Sequence, residues 1–297
     1  MNVQSLSICV PGGCKNRCRY CVAGIHEEYY PNKLKDNPSY GLYYKNYIKR
    51  LEFARDNGCN TCMLKGNGDP VMNIRFLEMF GVMNRNLQNP FRWIEIQTSG
   101  TTVDENKLDF LMDHVGVSTV SLSVSSFDSS MNSEYNNTPS GYGVDIGWLC
   151  RKIKERDLNL RLSINLTDEF TGDPKHIFEE AIGLGADQLT FRVLYESIHV
   201  PDCEQNLWIR KHRLLHEYVY GIIDYVKTEG RPLEILPFGA IKYSVLGLSV
   251  VIDDDCMNNN VREIEESGLR YNALKYLILR PDCKLYSHWD EKGSLIF

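Results

Sequence analysis

The amino-acid sequence predicts an α/β protein built on a mainly parallel β-sheet. Short β-rich segments alternate with longer amphipathic segments, which is typical of successive βα units. Six such strand segments fall within about the first 195 residues. The length of 297 residues allows one large α/β domain with an appendage. The expected architecture is therefore a partial, TIM-like (β/α)6 barrel over residues 1–200, followed by a C-terminal cap over residues 201–297.

Each predicted repeat begins with a strand and continues with a helix. The predicted strands cover residues 5–10, 61–65, 92–97, 119–125, 159–166 and 188–194. The predicted helices cover residues 42–57, 73–87, 105–114, 144–156 and 174–184. A long loop follows the first strand, and a polar loop follows the fourth. Asp104 is expected to cap the third helix, because a carboxylate there accepts hydrogen bonds from the first turn and suits the helix dipole.

The pattern changes after the sixth strand. Residues 206–228 are expected to form one amphipathic helix, because their apolar residues recur at helical spacing. Four β-rich segments follow, at residues 233–236, 241–252, 274–280 and 284–288, with a hairpin turn expected at 281–284. The sequence therefore predicts a helix and a small β-containing appendage rather than a seventh and an eighth repeat.

The charge and composition of the chain argue against several classes of function and location. The net charge of −6 argues against general binding to a nucleic-acid backbone, which depends on many Lys and Arg residues. The N-terminal segment lacks the basic and apolar regions of a secretory signal. The longest apolar stretch, at residues 243–252, is too short to span a bilayer. We therefore expect a cytoplasmic protein without a membrane partner.

Ten cysteines are present, and in a reducing compartment clustered cysteines indicate metal binding or catalysis rather than disulfides. Cys14, Cys18 and Cys21 form a C-x3-C-x2-C motif in a glycine-rich loop directly after the first strand. Thiolates are soft ligands for iron–sulfur clusters and for zinc. Three cysteines can hold three irons of a cubane cluster and leave the fourth open, whereas His26 would complete a four-ligand zinc site. The residues alone leave both alternatives open.

The order of the motifs resembles the radical S-adenosylmethionine (AdoMet) superfamily. The C-x3-C-x2-C motif with Tyr20 before its last cysteine is the signature of that family. Its Gly-Gly-Glu-Pro-like motif is matched by residues 66–70, and its Thr-Asn-Gly motif by Thr98-Ser99-Gly100. Its serine-rich fourth strand and the asparagine of its fifth are matched by Ser121, Ser123, Ser125 and Asn165.

Within the superfamily, residues 191–196 look like the Arg-Phe-Ile-Glu segment of the molybdenum-cofactor GTP cyclase. The nearest pattern is therefore that enzyme and the SPASM/twitch-like group. Some of these proteins bind an auxiliary cluster in the C-terminal region, where this chain has Cys203, Cys256 and Cys283. Residues 280–288 resemble the segment of those proteins that ends in Pro-Asp-Gly-(Lys)-x-Tyr-Pro-Cys. His288 occupies the position of its final cysteine, so no second cluster is expected.

The resemblance implies a radical AdoMet enzyme with an oxygen-sensitive [4Fe–4S] cluster bound by Cys14, Cys18 and Cys21. The fourth iron would take the amino and carboxylate groups of AdoMet. Reductive cleavage would then give a 5′-deoxyadenosyl radical that abstracts hydrogen from a small-molecule, nucleotide or peptide substrate. An electron donor such as flavodoxin or ferredoxin is also implied. The residues that would bind AdoMet are Gly66, Asn67, Gly68, Asp69, Thr98, Ser123, Ser125, Ser163, Asn165 and Arg192.

Some of these residues have a second interpretation. Asp69 stands where the family has Glu, and its shorter side chain predicts a water between the carboxylate and the methionyl ammonium. Polar residues such as Ser163 on a parallel strand either bind a ligand or form hydrogen bonds inside the barrel, because such strands are usually apolar on both faces. Arg161 and Arg192 could each neutralise a carboxylate of AdoMet or of substrate. Cys59 and Cys62 are expected to be ordinary buried residues.

Two other functions remain open at this stage. The chain could be an activase that installs a glycyl radical on a partner enzyme, although the C-terminal appendage disfavours this. It could also be a non-catalytic zinc module that uses the same three cysteines and His26.

Overall fold

A computed structural model describes residues 2–29, 40–66, 68–198, 200–236, 240–251, 273–287 and 294–297. The strands of these residues are β1 (Asn2–Val10), β2 (Thr61–Gly66), β3 (Trp93–Thr98), β4 (Thr119–Val124), β5 (Asn159–Leu166), β6 (Gln188–Val193), β7 (Arg231–Ile235), β8 (Ile241–Val245), β9 (Leu248–Val251), β10 (Ala273–Leu279) and β11 (Leu285–Tyr286). The helices are α1 (Val22–Tyr29), α2 (Tyr44–Asp56), α3 (Ile74–Arg85), α4 (Glu105–Phe110), α5 (Ser129–Tyr135), α6 (Ile146–Lys154), α7 (Pro174–Gly183), α8 (Glu204–His212) and α9 (His216–Glu229). Short 3₁₀ helices occupy Tyr40–Tyr43, Pro70–Met72 and Asp168–Phe170, and a π-helical turn occupies Leu111–Val115.

The strands of the described residues form one sheet in the order β11-β10-β1-β2-β3-β4-β5-β6-β9-β8-β7. Neighbouring strands from β1 to β6 are parallel, which confirms the predicted α/β class. In the C-terminal region, β10 pairs in parallel with β1, and β9 pairs in parallel with β6. Strands from the C-terminal region therefore extend the same sheet beyond β1 and beyond β6.

The central strands are apolar on one face and polar on the other. Leu122 and Ile164 are buried in the hydrophobic core that the strands share with α2, α3, α6 and α7. Ser123 and Ser163, next to them in sequence, are register partners on the opposite face of the sheet. Burial of each large apolar side chain contributes about 1.5–3 kcal/mol, so the apolar face holds the helices in place. The polar face lines the cavity described below.

The C-terminal helix prediction is wrong in one respect, because residues 206–228 form two helices, α8 and α9, rather than one. Arg213 and Leu215 adopt extended backbone angles between them. Leu214 donates its N–H to the carbonyl of Leu166 at 3.0 Å, and Thr167 forms a β-bridge with Arg213. Pairing with the end of β5 therefore interrupts a segment whose local pattern is helical throughout.

Two helices lie inside segments that the sequence predicts as loops. Helix α1 begins one residue after Cys21. Helix α5 lies in the polar segment after β4, and the Asp128 carboxylate caps it by accepting from the N–H of Met131 at 2.8 Å. Asp104 likewise caps α4 by accepting from the N–H of Lys107 at 2.8 Å, which confirms that prediction.

Two turns shape the C-terminal strands. The predicted strand at 241–252 is a hairpin of β8 and β9, with Leu246 and Gly247 at positive φ in the turn, and residue 252 lies outside the described residues. The predicted turn at 281–284 connects antiparallel β10 and β11, and Cys283 (φ 62°) donates its N–H to the carbonyl of Arg280 at 2.9 Å. Among the described helices, none is both long and apolar enough to cross a membrane.

Candidate functional site

A cavity of about 340 Å³ lies at the carboxyl ends of β1 to β6. This is the edge at which parallel α/β barrels place their functional residues. Most of the residues predicted from the sequence line it, namely Cys14, Cys18, Cys21, Gly66, Gly68, Asp69, Thr98, Ser123, Ser163, Asn165 and Arg192. Ser125 is not part of this lining, but it forms hydrogen bonds with Tyr20 and Asn165, which are. Asn67 lies outside the described residues.

The loop that follows β1 is held against the loop that follows β2. Asp69 donates its N–H to the carbonyl of Gly13 at 3.1 Å, and Asn73 donates its side-chain amide to the carbonyl of Pro11 at 2.5 Å. A Cβ atom on Gly68 would lie 2.1 Å from the carbonyl oxygen of Gly13. Glycine is therefore required at residue 68 for the two loops to pack this closely.

The three cysteines of the motif occupy different depths at the cavity. Cys14 is exposed, whereas Cys18 and Cys21 are partly buried. Burial raises the pKa of the Cys14 thiol and, more strongly, that of Cys18. Cys18 also donates its thiol to the side-chain oxygen of Asn136 at 3.6 Å. Within the described residues, no three His, Cys, Asp or Glu side chains are grouped so that they could hold one metal ion.

The Asp69 carboxylate is enclosed by protein donors. Thr98 Oγ1 lies 2.9 and 2.8 Å from its two oxygens, and Ser99 donates both its N–H (3.0 Å) and its hydroxyl (2.7 Å). The N–H of Val71 supplies a further bond at 3.2 Å. The carboxylate therefore joins the loop after β2 to the loop after β3. A water between Asp69 and a methionyl ammonium, which the sequence predicts, stays a prediction.

Tyr20 links the cysteine loop to the ends of β4 and β5. Its hydroxyl donates to the side-chain oxygen of Asn136 at 2.5 Å and lies 2.5 Å from the hydroxyl of Ser125. The side-chain amide of Asn165 lies 3.2 Å from the Tyr20 oxygen and 3.0 Å from the Ser123 hydroxyl. Burial raises the pKa of Tyr20 well above its usual value, so its hydroxyl remains a donor.

The two arginines that the sequence singles out have different surroundings. Arg192 lines the cavity and donates to the hydroxyl of Ser163 at 2.6 Å. Arg161 forms an ion pair with Glu95, whose side chain is only 4% exposed, and donates to Gln188 at 2.8 Å. Arg161 is not part of the cavity lining. Arg161 therefore neutralises the carboxylate of Glu95 inside the barrel.

Among the described residues, Cys9 is the one further cysteine that lines this cavity. Cys59 and Cys62 are fully buried in the hydrophobic core, which confirms their interpretation as ordinary buried residues. Cys203 caps α8 by accepting from the N–H of Asn206 at 3.4 Å, and burial raises the pKa of Cys283 to about 11. Cys9 does line the cavity, and burial raises its pKa to about 11. Cys256 and the side chain of His26 lie outside the described part of the chain.

Sequence reasoning missed several further residues at the cavity. Cys9, Lys65 and Gln97 line it from the polar face of the strands, and the alternation along β1 to β3 is the signal that could have found them. Asn16 and Asn136 come from loops, where no pattern in the chain distinguishes them from other polar loop residues.

The comparisons with known proteins agree with this fold. A sequence profile of the Radical SAM superfamily matches residues 8–159, slightly more than half of the chain. The chain therefore belongs to the radical SAM superfamily of enzymes, whose members use a [4Fe–4S] cluster and AdoMet. Among curated proteins, none matches the sequence significantly.

Solved structures with a similar fold include two radical SAM enzymes. SuiB of Streptococcus suis bound to S-adenosylmethionine is 14% identical with a TM-score of 0.59, and the match covers 97% of this chain and 60% of that one. The protein anSMEcpe with bound AdoMet is 14% identical with a TM-score of 0.61, and the match covers 98% and 77%. The chain spans about three fifths of the length of SuiB. At this identity the likeness shows the partial barrel fold, and the nearer resemblance to the GTP cyclase group stays a prediction.

Proposed function

We propose that this chain catalyses reductive cleavage of AdoMet and directs the resulting 5′-deoxyadenosyl radical to a hydrogen atom of a small-molecule, nucleotide or peptide substrate. The observation that carries the proposal is that the three cysteines of the C-x3-C-x2-C loop and polar residues from successive strand ends line one cavity.

The residue types present fit the two cofactors, because a cubane cluster takes each thiolate on a different iron and does not need three thiols grouped around one ion. Cys14, Cys18 and Cys21 offer three soft thiol ligands from one loop. The side-chain NH2 group of Asn16, which lies in the same loop and lines the same cavity, is buried and has no hydrogen-bond partner among the described residues. Burying such a donor is costly unless a partner accepts from it. A cluster sulfur or an acceptor atom of AdoMet would satisfy it, so we add Asn16 to the binding residues.

When bound, the cluster and AdoMet supply the one-electron reduction and the hydrogen-abstracting radical. The chain binds and orients them and excludes water. Cys14, Cys18 and Cys21 would ligate the cluster. The lack of a side chain at Gly66 and Gly68 lets the backbone after β2 pack against Val10 and Gly13. The carbonyl groups of these two glycines would accept from the methionyl ammonium.

The remaining polar residues would orient the rest of AdoMet. The hydroxyls of Ser123 and Ser163 and the amide of Asn165 suit the ribose hydroxyls, and the Arg192 guanidinium suits the methionyl carboxylate. Thr98 and Asp69 support the site because the bonds between them hold two lining loops together. Ser125 supports Tyr20 and Asn165 in the same way. Asn67 belongs to the proposed set through the family motif alone.

The reaction also needs a reductant, and the proposal includes an electron donor such as flavodoxin or ferredoxin. A cluster with an open corner reacts with oxygen, so the protein is expected to work in a reducing cytoplasm at low oxygen.

The test is anaerobic reconstitution of the full chain with iron and sulfide. We expect a brown protein with about four irons per chain, the number in one cubane cluster, whose absorbance bleaches with dithionite and which then converts AdoMet to 5′-deoxyadenosine. Cys14→Ser, Cys18→Ser and Cys21→Ser should each abolish this conversion. Cys203→Ser is the matched control, because serine caps a helix at least as well as cysteine. A colourless protein that binds only zinc and cleaves no AdoMet would overturn the proposal.

A further inference from the structure

The cysteine loop has two faces with different chemistry. Cys14, Asn16, Cys18 and Tyr20 line the cavity. The intervening residues Lys15, Arg17 and Arg19 are exposed and are not part of the lining. The loop thus presents its ligand atoms inward and three permanent cations outward, and we call these three residues the outer basic triad.

In the part of the chain that the structure describes, no carboxylate neutralises the outer basic triad. The Lys15 ammonium lies over the ring of Tyr142, 5.0 Å from the ring centroid. The backbone N–H of Arg17 donates to the carbonyl of Asn136 at 3.2 Å. Neither these two cations nor Arg19 forms an ion pair with a carboxylate within the described residues. The chain as a whole carries a net charge of −6. A cluster of unpaired cations on an acidic protein attracts acidic partners.

The position of the triad indicates what kind of partner it fits. A substrate inside the cavity does not contact the triad, because the side chains of the triad are not part of the cavity lining. Each cation of the triad is next in sequence to a cysteine of the motif: Lys15 follows Cys14, and Arg17 and Arg19 flank Cys18. A molecule that docks on the outer basic triad therefore comes close to the proposed cluster ligands without occupying the cavity.

We propose that the outer basic triad is the docking surface for an acidic electron-carrier protein, which contacts Lys15, Arg17 and Arg19 and passes one electron across the cysteine loop. In this step the reduced carrier loses one electron and the group held by the three cysteines gains it. The inference rests on the proposed function, which supplies the need for an electron.

Kinetics with two reductants test the proposal. The reconstituted triple variant Lys15→Gln/Arg17→Gln/Arg19→Gln is compared with the wild type, using reduced flavodoxin as an acidic carrier or dithionite as a small reductant. With flavodoxin we expect the rate of AdoMet cleavage to fall about 10-fold or more and to lose most of its salt dependence, because electrostatic steering raises association rates by about 10–1,000-fold. With dithionite we expect the rate to stay within about twofold, since the triad lies outside the cavity.

A binding measurement provides a readout that does not depend on turnover. The affinity of the reconstituted chain for oxidised flavodoxin should fall about 10-fold or more in the triple variant at low salt. The matched control is Arg151→Gln/Lys211→Gln/Lys227→Gln, which removes three exposed cations from α6, α8 and α9. It should bind flavodoxin like the wild type.

The proposed docking surface would be wrong if the triple variant cleaved AdoMet with flavodoxin at the wild-type rate. It would also be wrong if the rate fell equally with flavodoxin and with dithionite, because the triad would then support the site itself. An equal loss of flavodoxin affinity in the control variant would likewise contradict it. If the wild type fails to cleave AdoMet even with dithionite, the proposed function fails instead. The two failures are therefore distinguishable.

Discussion

Both carboxylate oxygens of Asp69 lie within hydrogen-bond distance of the Thr98 hydroxyl, at 2.9 and 2.8 Å, in a position where Asp69 is only 6% exposed. The bond connects the loop after β2, which faces the cysteine loop, to the end of β3. A side chain that a family motif associates with ligand binding thus also determines the shape of the cavity.

Asp69→Asn should weaken AdoMet binding more than it lowers the free energy of unfolding. The Asp69 carboxylate accepts from hydroxyl and N–H donors, and an amide would place its own donor group against one of them. Losing a hydrogen bond to a charged group costs about 1.5–3 kcal/mol. We expect the KM for AdoMet to rise about tenfold or more, since about 1.4 kcal/mol corresponds to a factor of ten. Initial rates of AdoMet cleavage with dithionite measure this. Asp113→Asn, at an exposed position on the π-helical turn, should leave KM unchanged, and an equal change in both variants would contradict the assignment.

Gly68→Ala should displace the cysteine loop. The added Cβ would approach the Gly13 carbonyl oxygen to 2.1 Å, which is backbone against backbone and allows no side-chain adjustment. Iron content after reconstitution should fall to less than about half of the wild-type value, a rough expectation for a displaced ligand loop. Gly183→Ala is the control, because a Cβ there meets nothing within 4 Å. Full iron loading in Gly68→Ala would show that the loop tolerates the shift.

Tyr20→Phe removes the hydroxyl and keeps the ring, so it tests the contribution of the hydroxyl alone. The ring stays available to pack against Trp208, 5.9 Å away between centroids, but Asn136 and Ser125 lose a buried partner. Leaving such groups unsatisfied costs about 1–3 kcal/mol. We expect a lower free energy of unfolding in denaturant and faster loss of iron to a chelator. Tyr220→Phe, at a position that is 63% exposed, should change neither quantity. A Tyr20→Phe protein that retains iron like the wild type would limit the role of the hydroxyl to stability.

Arg161→Ala tests whether this arginine serves the barrel or a ligand. Removing the guanidinium leaves Glu95 buried without its cation, which should cost about 2 kcal/mol or more of unfolding free energy. The KM for AdoMet should stay within about twofold, because Arg161 does not line the cavity. Arg192→Ala should show the reverse, with a raised KM and a smaller loss of stability. A raised KM in Arg161→Ala without loss of stability would reverse the two roles.

Thiol labelling of the metal-free protein should follow exposure. Among the cysteines that the structure describes, Cys14 should react first with an alkylating reagent, because it is exposed. Cys59, Cys62 and Cys150 should react only after unfolding, because all three are fully buried. Mass spectrometry of peptides assigns the modified sites. Reconstitution should then protect Cys14, and continued fast labelling of Cys14 in the iron-loaded protein would contradict its role as a ligand.

Local sequence patterns determined the central architecture. The alternation of strand and helix segments predicts β2 to β6 to within one residue at each end. The Cys14, Cys18 and Cys21 spacing, together with the order of the later motifs, identified the family and the residues around the cavity. These signals are readable because hydrophobic periodicity and a ligand motif are properties of neighbouring residues.

Tertiary contacts decided the remainder. Leu214 leaves a helical pattern because it bonds to Leu166, and Asp69 is surrounded by Thr98 and Ser99, about thirty residues away. Asn136 meets Tyr20 only because α5 returns the chain to the cysteine loop. The physical reason is the same in each case: a hydrogen bond between distant segments forms only when the packed sheet brings them together, and no local pattern encodes that geometry.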